Sequence, residues 1–475
     1  MIKKPIIIFL LVLITSWAAN AQKLWSLEDC IQYAMEKNLQ IKQQQLAIDN
    51  ADADLLQSKM GLLPDLNGGA THSYNYGQTI DRYTNQFATE RVQSNNFYLQ
   101  SSITLFNGFE KINTIRQNMV KLDYNRLDKE KYANDIALSI ATMYLQVLYY
   151  TEMLDVNKNQ LEITQMQVAR MQKMVEAGTL ANGDLLTIEA QAATEELSVV
   201  ETQNQLDLAY LSLAQMMDLP SVNGFSIEKP EISLGEQSYL LENPDKIYDF
   251  ALNNQPEIKS AKLKVKSSEL GLARVRGYQY PTLSLGGSWA TGYSGASKDA
   301  SQLGTGKYEI SVLKTKSGEE ILQPVYDYEY KTRSFSNQIK DNDNKSIGLS
   351  LNIPIFNTWQ VRTNINKSKI GIKSAELDLQ LAENNLRKTI QQAYADAKAS
   401  LNRYQASGKK VAASEEAFKY SEQKFTVGLL NTVDYNNTKK ELNKSHSELL
   451  QSKYDYVFKT KVLDFYLGKP MTLKK

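Results

Sequence analysis

The chain has 475 residues, with 54 Lys+Arg against 53 Asp+Glu, two histidines and one cysteine. A near-neutral balance offers no basic stripe for nucleic acid, and the single Cys30 excludes an internal disulfide. Nowhere after residue 21 do about 18 apolar residues run together, so no transmembrane helix is expected.

In chain order, Lys3 and Lys4, the apolar Ile6 to Ile14 and the small-x-small Ala19-Asn20-Ala21 read as a cleaved export signal over residues 1–21. Gln22, not a cysteine, follows the junction, which speaks against a lipid anchor. Leu27, Ala34, Ile41, Ile48, Leu55 and Leu62 then recur at every seventh position, the period of a helix packed along a neighbour. Ser26 is its expected N-cap, with Asp29 reaching back, and Cys30 reads as a small packed residue. Pro64 ends the helix.

Beyond Pro64 the period changes from seven to two. In Phe97 to Leu105 the odd positions are mainly apolar and the even ones mainly polar, so one face of the strand is greasy and one wet. Leu66 to Tyr76 is its less cleanly patterned partner, and Thr79 to Ser94 a polar loop between them. Strands of about 9–11 residues suit a membrane barrel, with Phe106 and Phe109 as interfacial aromatics at the junction. Phe106 to Gly178 carries no proline and is rich in Leu, Gln, Lys, Met and Ala, which predicts one helix of about 108 Å. Gly178 to Gly183 is a turn, and Asp184 to Leu219 a returning helix.

After an irregular connector at 221–244, the chain repeats itself. Ala34, Ile41, Ile48, Leu55 and Pro64 recur, all at one offset, as Ala251, Ile258, Val265, Leu272 and Pro281. Phe106-Asn107, Gly178, Asp184 and Pro220 recur at a second, larger offset as Phe356-Asn357, Gly428, Asp434 and Pro470, with Trp359 in the place of Phe109. Ordered matches at fixed offset indicate two repeats, 22–220 and 245–475, and the change of offset places an insertion between Pro281 and Phe356. The second half therefore holds helices over Asp245 to Tyr280 and Asp434 to Lys469 and strands over Leu283 to Thr291 and Ile347 to Ile355. Between those strands, Tyr293 to Asn344 reads as a long Gly-, Ser- and Lys-rich outer loop that contains the insertion.

The competing reading of these strands is a soluble sandwich that buries the apolar face. Four strands cannot close a barrel, and each unpaired edge group in hydrocarbon costs several kcal/mol, so lipid-facing strands require several copies of the chain. Two, three or more copies satisfy this equally. His72 and His446 form no triad or metal site, no phosphate loop is present, and Met166, Met171 and Met174 have the spacing of core residues. No catalytic residue, metal or cofactor is expected, and the chain is not read as an enzyme.

The duplicated arrangement, Leu105-Phe106-Asn107-Gly108, Ile355-Phe356-Asn357 and Val427-Gly428-Leu429…Val433-Asp434 resemble the TolC family of outer-membrane efflux proteins over essentially the whole mature chain. The resemblance implies a mainly α fold with a membrane β portion: a long antiparallel helical tunnel continuing into a β-barrel shared between three protomers. It implies docking of a periplasmic adaptor, linked to an inner-membrane pump, at the turns Gly178-Thr179-Leu180 and Gly428-Leu429-Leu430. It places Asp184 and Asp434 at the periplasmic aperture, although an aspartate after a glycine turn also suits an N-cap. Asn437 stands where the best-known member has a further aspartate and Leu430 where it has a basic residue, so gate details do not carry over. The implied function is a passive exit duct of a tripartite efflux system; the alternatives are a type I protein secretion duct and a periplasmic coiled-coil scaffold.

Overall fold

The computed structural model describes residues 24–89, 91–230 and 243–473; the export signal and the middle of the connector lie outside the described residues. After β1 (Leu24–Trp25), helix α1 (Leu27–Lys37) opens on the expected reciprocal cap. Ser26 Oγ accepts the Asp29 N–H at 3.0 Å while the Asp29 carboxylate accepts the Ser26 N–H at 3.1 Å.

The seven-residue stripe does not continue as one helix. It breaks at Asn38, whose backbone is extended, and α2 (Leu39–Met60) starts afresh. Asn38 Oδ1 accepts the N–H groups of Gln40 and Ile41 at 2.9 and 3.3 Å, and Nδ2 donates to the Met216 carbonyl at 3.0 Å. One side chain thus caps a helix start and pins it to a distant helix end.

The remaining elements are β2 (Asn67–Asn75), β3 (Thr79–Ile80), β4 (Phe87–Ala88), β5 (Val92–Phe106), α3 (Glu110–Glu176), α4 (Asn182–Met216), β6 (Ser226–Ile227), α5 (Pro244–Asn254) and α6 (Pro256–Gly277). They continue with β7 (Thr282–Ser294), β8 (Lys298–Lys314), β9 (Glu320–Thr332), α7 (Phe335–Asp341), β10 (Asn344–Asn352), α8 (Gln360–Thr426) and α9 (Thr432–Tyr466). The two halves agree in length: α1 and α5 have 11 residues each, α2 and α6 22, α3 and α8 67, α4 and α9 35. The second half also breaks its first helix, at Gln255, because Pro256 cannot donate and holds its predecessor out of the helical region. The single helices expected over Leu27 to Leu62 and Asp245 to Tyr280 are therefore each two.

A second correction concerns Tyr293 to Asn344. It is not an open loop: β8 and β9 pair antiparallel from Lys298↔Thr332 to Lys314↔Glu320, and α7 follows under a Ser334 cap.

Two compact units divide these elements, and each draws on both halves of the repeat. The helical unit comprises the described parts of Met1–Ala53, Met119–Ser267 and Ile372–Lys475. Its two main core clusters use equivalent positions. Ala34 and Ile41 pack with Ile136, Ile140 and Leu213; Ala251 and Ile258 pack with Leu386, Ile390 and Leu463. Cys30 is a buried member of the first cluster, and the Tyr144 hydroxyl donates to the Glu228 carbonyl at 2.7 Å beside the parallel β1–β6 pair. The strand unit comprises Asp54–Asn118 and Ser268–Gly371, and holds an antiparallel sheet in the order β10-β7-β5-β2.

Candidate functional site

Both helical hairpins of the helical unit turn by the same device. After α3, Gly178 adopts φ +72°, and the N–H groups of Gly178 and Thr179 return to the carbonyls of Val175 and Met174 at 2.9 Å. After α8, Gly428 adopts φ +76°, and Leu429 N–H reaches the Lys424 carbonyl at 2.8 Å. A left-handed residue closing these backward bonds is what glycine allows without strain. Gly178, Thr179, Gly428 and Leu429 are exposed, while Leu180 and Leu430 are half-buried. Leu180 packs against Met171, Leu185 and Ile188, which stiffens the first turn.

The returning helices begin at Asn182 and Thr432, so Asp184 and Asp434 occupy the third helical position and are not the caps. In the second half the cap is Asn431, whose Oδ1 accepts the Asp434 N–H at 2.8 Å and whose Nδ2 donates to the Asp434 carboxylate at 2.9 Å. In the first half Ala181 makes no side-chain cap. Asp434 is exposed; Asp184 is half-buried and accepts a hydrogen bond from Thr432 Oγ1 at 2.9 Å, which ties the two hairpin turns together. Both carboxylates stand in a first helical turn, where the helix dipole favours negative charge. Between the turns lies a cavity of about 320 Å³, lined by Arg170, Met174, Asp184, Glu422, Phe425 and Leu430 among others.

Above this cavity lies a buried polar cluster that sequence reading missed. Lys439 of α9 is 1 % exposed and its ammonium stands 3.5 Å from the Glu195 carboxylate of α4. It also donates to Thr164 Oγ1 of α3, which in turn donates to Glu195; Gln191 Nε2 donates to Glu195 at 2.8 Å. Burial pushes the Lys439 ammonium below the ordinary lysine range, and the Glu195 charge only partly restores it. Next to it Tyr435 is fully buried, stacks on Phe425 at 4.5 Å and accepts from Gln167; burial raises its hydroxyl pKa. The signal available in the sequence was a lysine four positions after a tyrosine on the packed side of α9. Only its partners' positions make it meaningful.

In the strand unit, register decides what each face carries. Leu351, Leu283 and Phe106 align, as do Leu349, Leu285 and Ile103, and Trp289 with Leu99. A bulge at Leu105 brings Phe106 opposite Leu283 and so preserves the alignment. The opposite face is lined by Ser350, Ser284 and Thr104, and by Ser346, Ser288 and Gln100. Ile347, Leu349 and Leu351 are 81, 68 and 60 % exposed, an uncovered apolar band inconsistent with the soluble sandwich. Phe106, Phe109, Phe356 and Trp359 are all exposed near the strand–helix junctions. Phe106 meets Phe109 edge-on at 5.6 Å, and the Arg362 guanidinium lies 4.6 Å over the Trp359 ring. Among the described residues no helix is apolar enough to cross a membrane, and no three His, Cys, Asp or Glu side chains are grouped to hold a metal.

Comparisons with known proteins agree with this geometry. The family model described as "Outer membrane efflux protein" matches residues 30–218 and 247–469. The outer membrane protein TolC of Escherichia coli is 22 % identical, over 90 % of this chain and 78 % of its own length. The outer membrane protein VceC of Vibrio cholerae superposes with a TM-score of 0.73 at 15 % identity, over 94 % of this chain and 96 % of its own. The Campylobacter jejuni CmeC outer membrane channel gives 0.71 at 16 % identity, covering 93 % and 85 %. With a helical unit of two repeated hairpins and a four-stranded sheet that is apolar on one side, the chain belongs to the outer membrane efflux protein family and is a protein of the outer membrane.

Proposed function

We propose that three copies of the chain form a passive exit duct, serving a tripartite efflux system with a periplasmic adaptor and an inner-membrane pump. The observation that carries this is the four-stranded sheet, greasy on one face, polar on the other and open at both edges, β10 and β2. In hydrocarbon those edges need partners, and copies of the same sheet supply them while their polar faces line a pore. The division into repeats 22–220 and 245–475 around connector 221–244 belongs to the same proposal, as does an interfacial girdle of Phe106, Phe109, Phe356 and Trp359. Purification from membranes with measurement of mass and single-channel conductance tests the duct; a soluble monomer in the periplasm ends the reading.

The face assignment has its own test. Leu349→Arg is expected to cost about 2–4 kcal/mol if it meets the bilayer midplane, whereas Ser350→Arg on the polar face costs much less. The readout is the yield of folded oligomer in membranes. Equal yields for the two variants contradict the assignment.

The exposed Gly178-Thr179 and Gly428-Leu429 turns, with apolar Val427 and Val433 beside the second, support adaptor docking at Gly178, Thr179, Leu180, Gly428, Leu429 and Leu430. Asp184 and Asp434 from three copies converge as the aperture, where charge of one sign in a narrow mouth favours cations. Changing both to Asn keeps the acceptor for Thr432 but removes the charge. Cation selectivity in a planar bilayer is expected to fall, and an unchanged reversal potential under a salt gradient excludes the aperture role.

A further inference from the structure

The ribbon formed by β8 and β9 spans residues 298–332, and it accounts for most of the insertion by which the second half outruns the first between its strands. Its two faces differ. Paired positions put Tyr308, Ile310, Leu322, Tyr328 and Tyr330 on one face, with Val312 and Tyr326 by strand alternation. All seven are exposed, and Lys298, Gln302 and Thr332 near the base and Lys314 and Glu320 at the tip share their face. The other face carries Asp299, Lys307, Glu309, Asp327, Glu329 and Lys331, with a few aliphatic residues between them. A two-stranded hairpin is marginal by itself in water, so a ribbon of 17- and 13-residue strands with seven uncovered large side chains calls for a cover.

We propose that the tyrosine face of this ribbon packs against the ribbons of the other copies, so that together they form a collar over the outer end of the pore. The proposal rests on the oligomeric duct above. Three observations favour a second copy as the cover. The ribbon is inserted between β7 and β10, and β10 is the open edge that has to meet another copy, so the ribbon's base lies one strand from that seam. The β7–β10 connection leaves the sheet at the end away from α6 and α8, the same end as the β2–β5 connection, so equivalent ribbons of a ring rise side by side. Pro324 removes a backbone donor from β9, which blunts an edge and leaves the face as the surface to be covered. The charged face then remains in water.

The test places single cysteines in the full-length chain carrying Cys30→Ser. Tyr328→Cys lies on the tyrosine face and Asp327→Cys on the charged face, and both positions are exposed in the single chain. A membrane-impermeant maleimide is applied to intact cells and to the purified oligomer, whose mass is measured in parallel. Tyr328→Cys is expected to label about tenfold more slowly than Asp327→Cys in both preparations, as a covered site does. A short bismaleimide is expected to join copies through Tyr328→Cys and not through Asp327→Cys. Equal labelling in an oligomer of trimeric mass overturns the collar and leaves the duct standing. Protection on cells that disappears in the purified trimer also overturns it, since the cover is then another surface molecule. A monomeric mass removes the duct and the collar together.

Discussion

Lys439→Met is expected to destabilise the helical unit by about 3–5 kcal/mol, because it leaves the Glu195 carboxylate buried without its cation. The expected readout is a lower midpoint of urea unfolding followed by far-UV circular dichroism in detergent. The pair joins α9 of the second half to α3 and α4 of the first, so its loss also loosens the attachment between the hairpins. The repeat suggests the rescue. At the offset that relates Asp184 to Asp434, Thr164 and Glu195 correspond to Ser414 and Ser445, which share a neutral hydrogen bond at 2.9 Å. Combining Lys439→Met with Glu195→Ser recreates that neutral pair and is expected to recover more than half of the loss. A double variant no more stable than Lys439→Met alone contradicts the ion-pair account.

The same site has a pH dependence of defined sign. The folded-state pKa of Lys439 lies below its ordinary value of 10.5, so between the two values the unfolded chain binds more protons. Stability contributed by this group therefore rises with pH through that window and levels off above 10.5. The difference in stability between the native chain and Lys439→Met is expected to grow in the same direction.

Gly108→Ala is expected to cost about 2–5 kcal/mol, combining a left-handed backbone with an overpacked contact. Gly108 has φ +64°, and a Cβ there collides with the Gly277 carbonyl oxygen and falls 2.9 Å from Tyr280 Cβ. Gly277 is constrained by contact alone, since its own Cβ meets the Gly108 carbonyl at 2.9 Å. The end of α6 and the start of α3 approach backbone to backbone there, and only glycine on both sides permits it. The second half supplies the control. Thr358 occupies the equivalent position with φ +52° and is exposed, so its backbone strain carries no clash. Thr358→Gly is expected to stabilise by about 1 kcal/mol. A lower midpoint of thermal unfolding in Gly108→Ala, with no lowering in Thr358→Gly, is the distinguishing result.

Much of this molecule is written in local periods. The seven-residue stripe from Leu27 to Leu55, the alternation from Phe97 to Leu105 and the two constant offsets of the repeat specify helices, strands and duplication, because each depends on order along the chain alone. The turn glycines Gly178 and Gly428 were legible for the same reason: a left-handed residue is a local need. Pro256 carries a local helix-break signal that the expected single helix over Asp245 to Tyr280 passed over, whereas Asn38 carries no such fixed backbone constraint. Asn38 breaks its helix through a bond to Met216, 178 residues away.

Other features exist only once distant segments meet. Asp184 gains Thr432 as a partner from the opposite half, and Lys439 becomes a buried ion because α3 and α4 carry Thr164 and Glu195 to it. The ribbon of β8 and β9 arose where composition suggested a loop, since pairing across a turn depends on register between strands and not on glycine content. Pattern along the chain fixes which face of an element is apolar; which side chain stands opposite it is fixed by packing, where a single buried charge outweighs many weak local preferences.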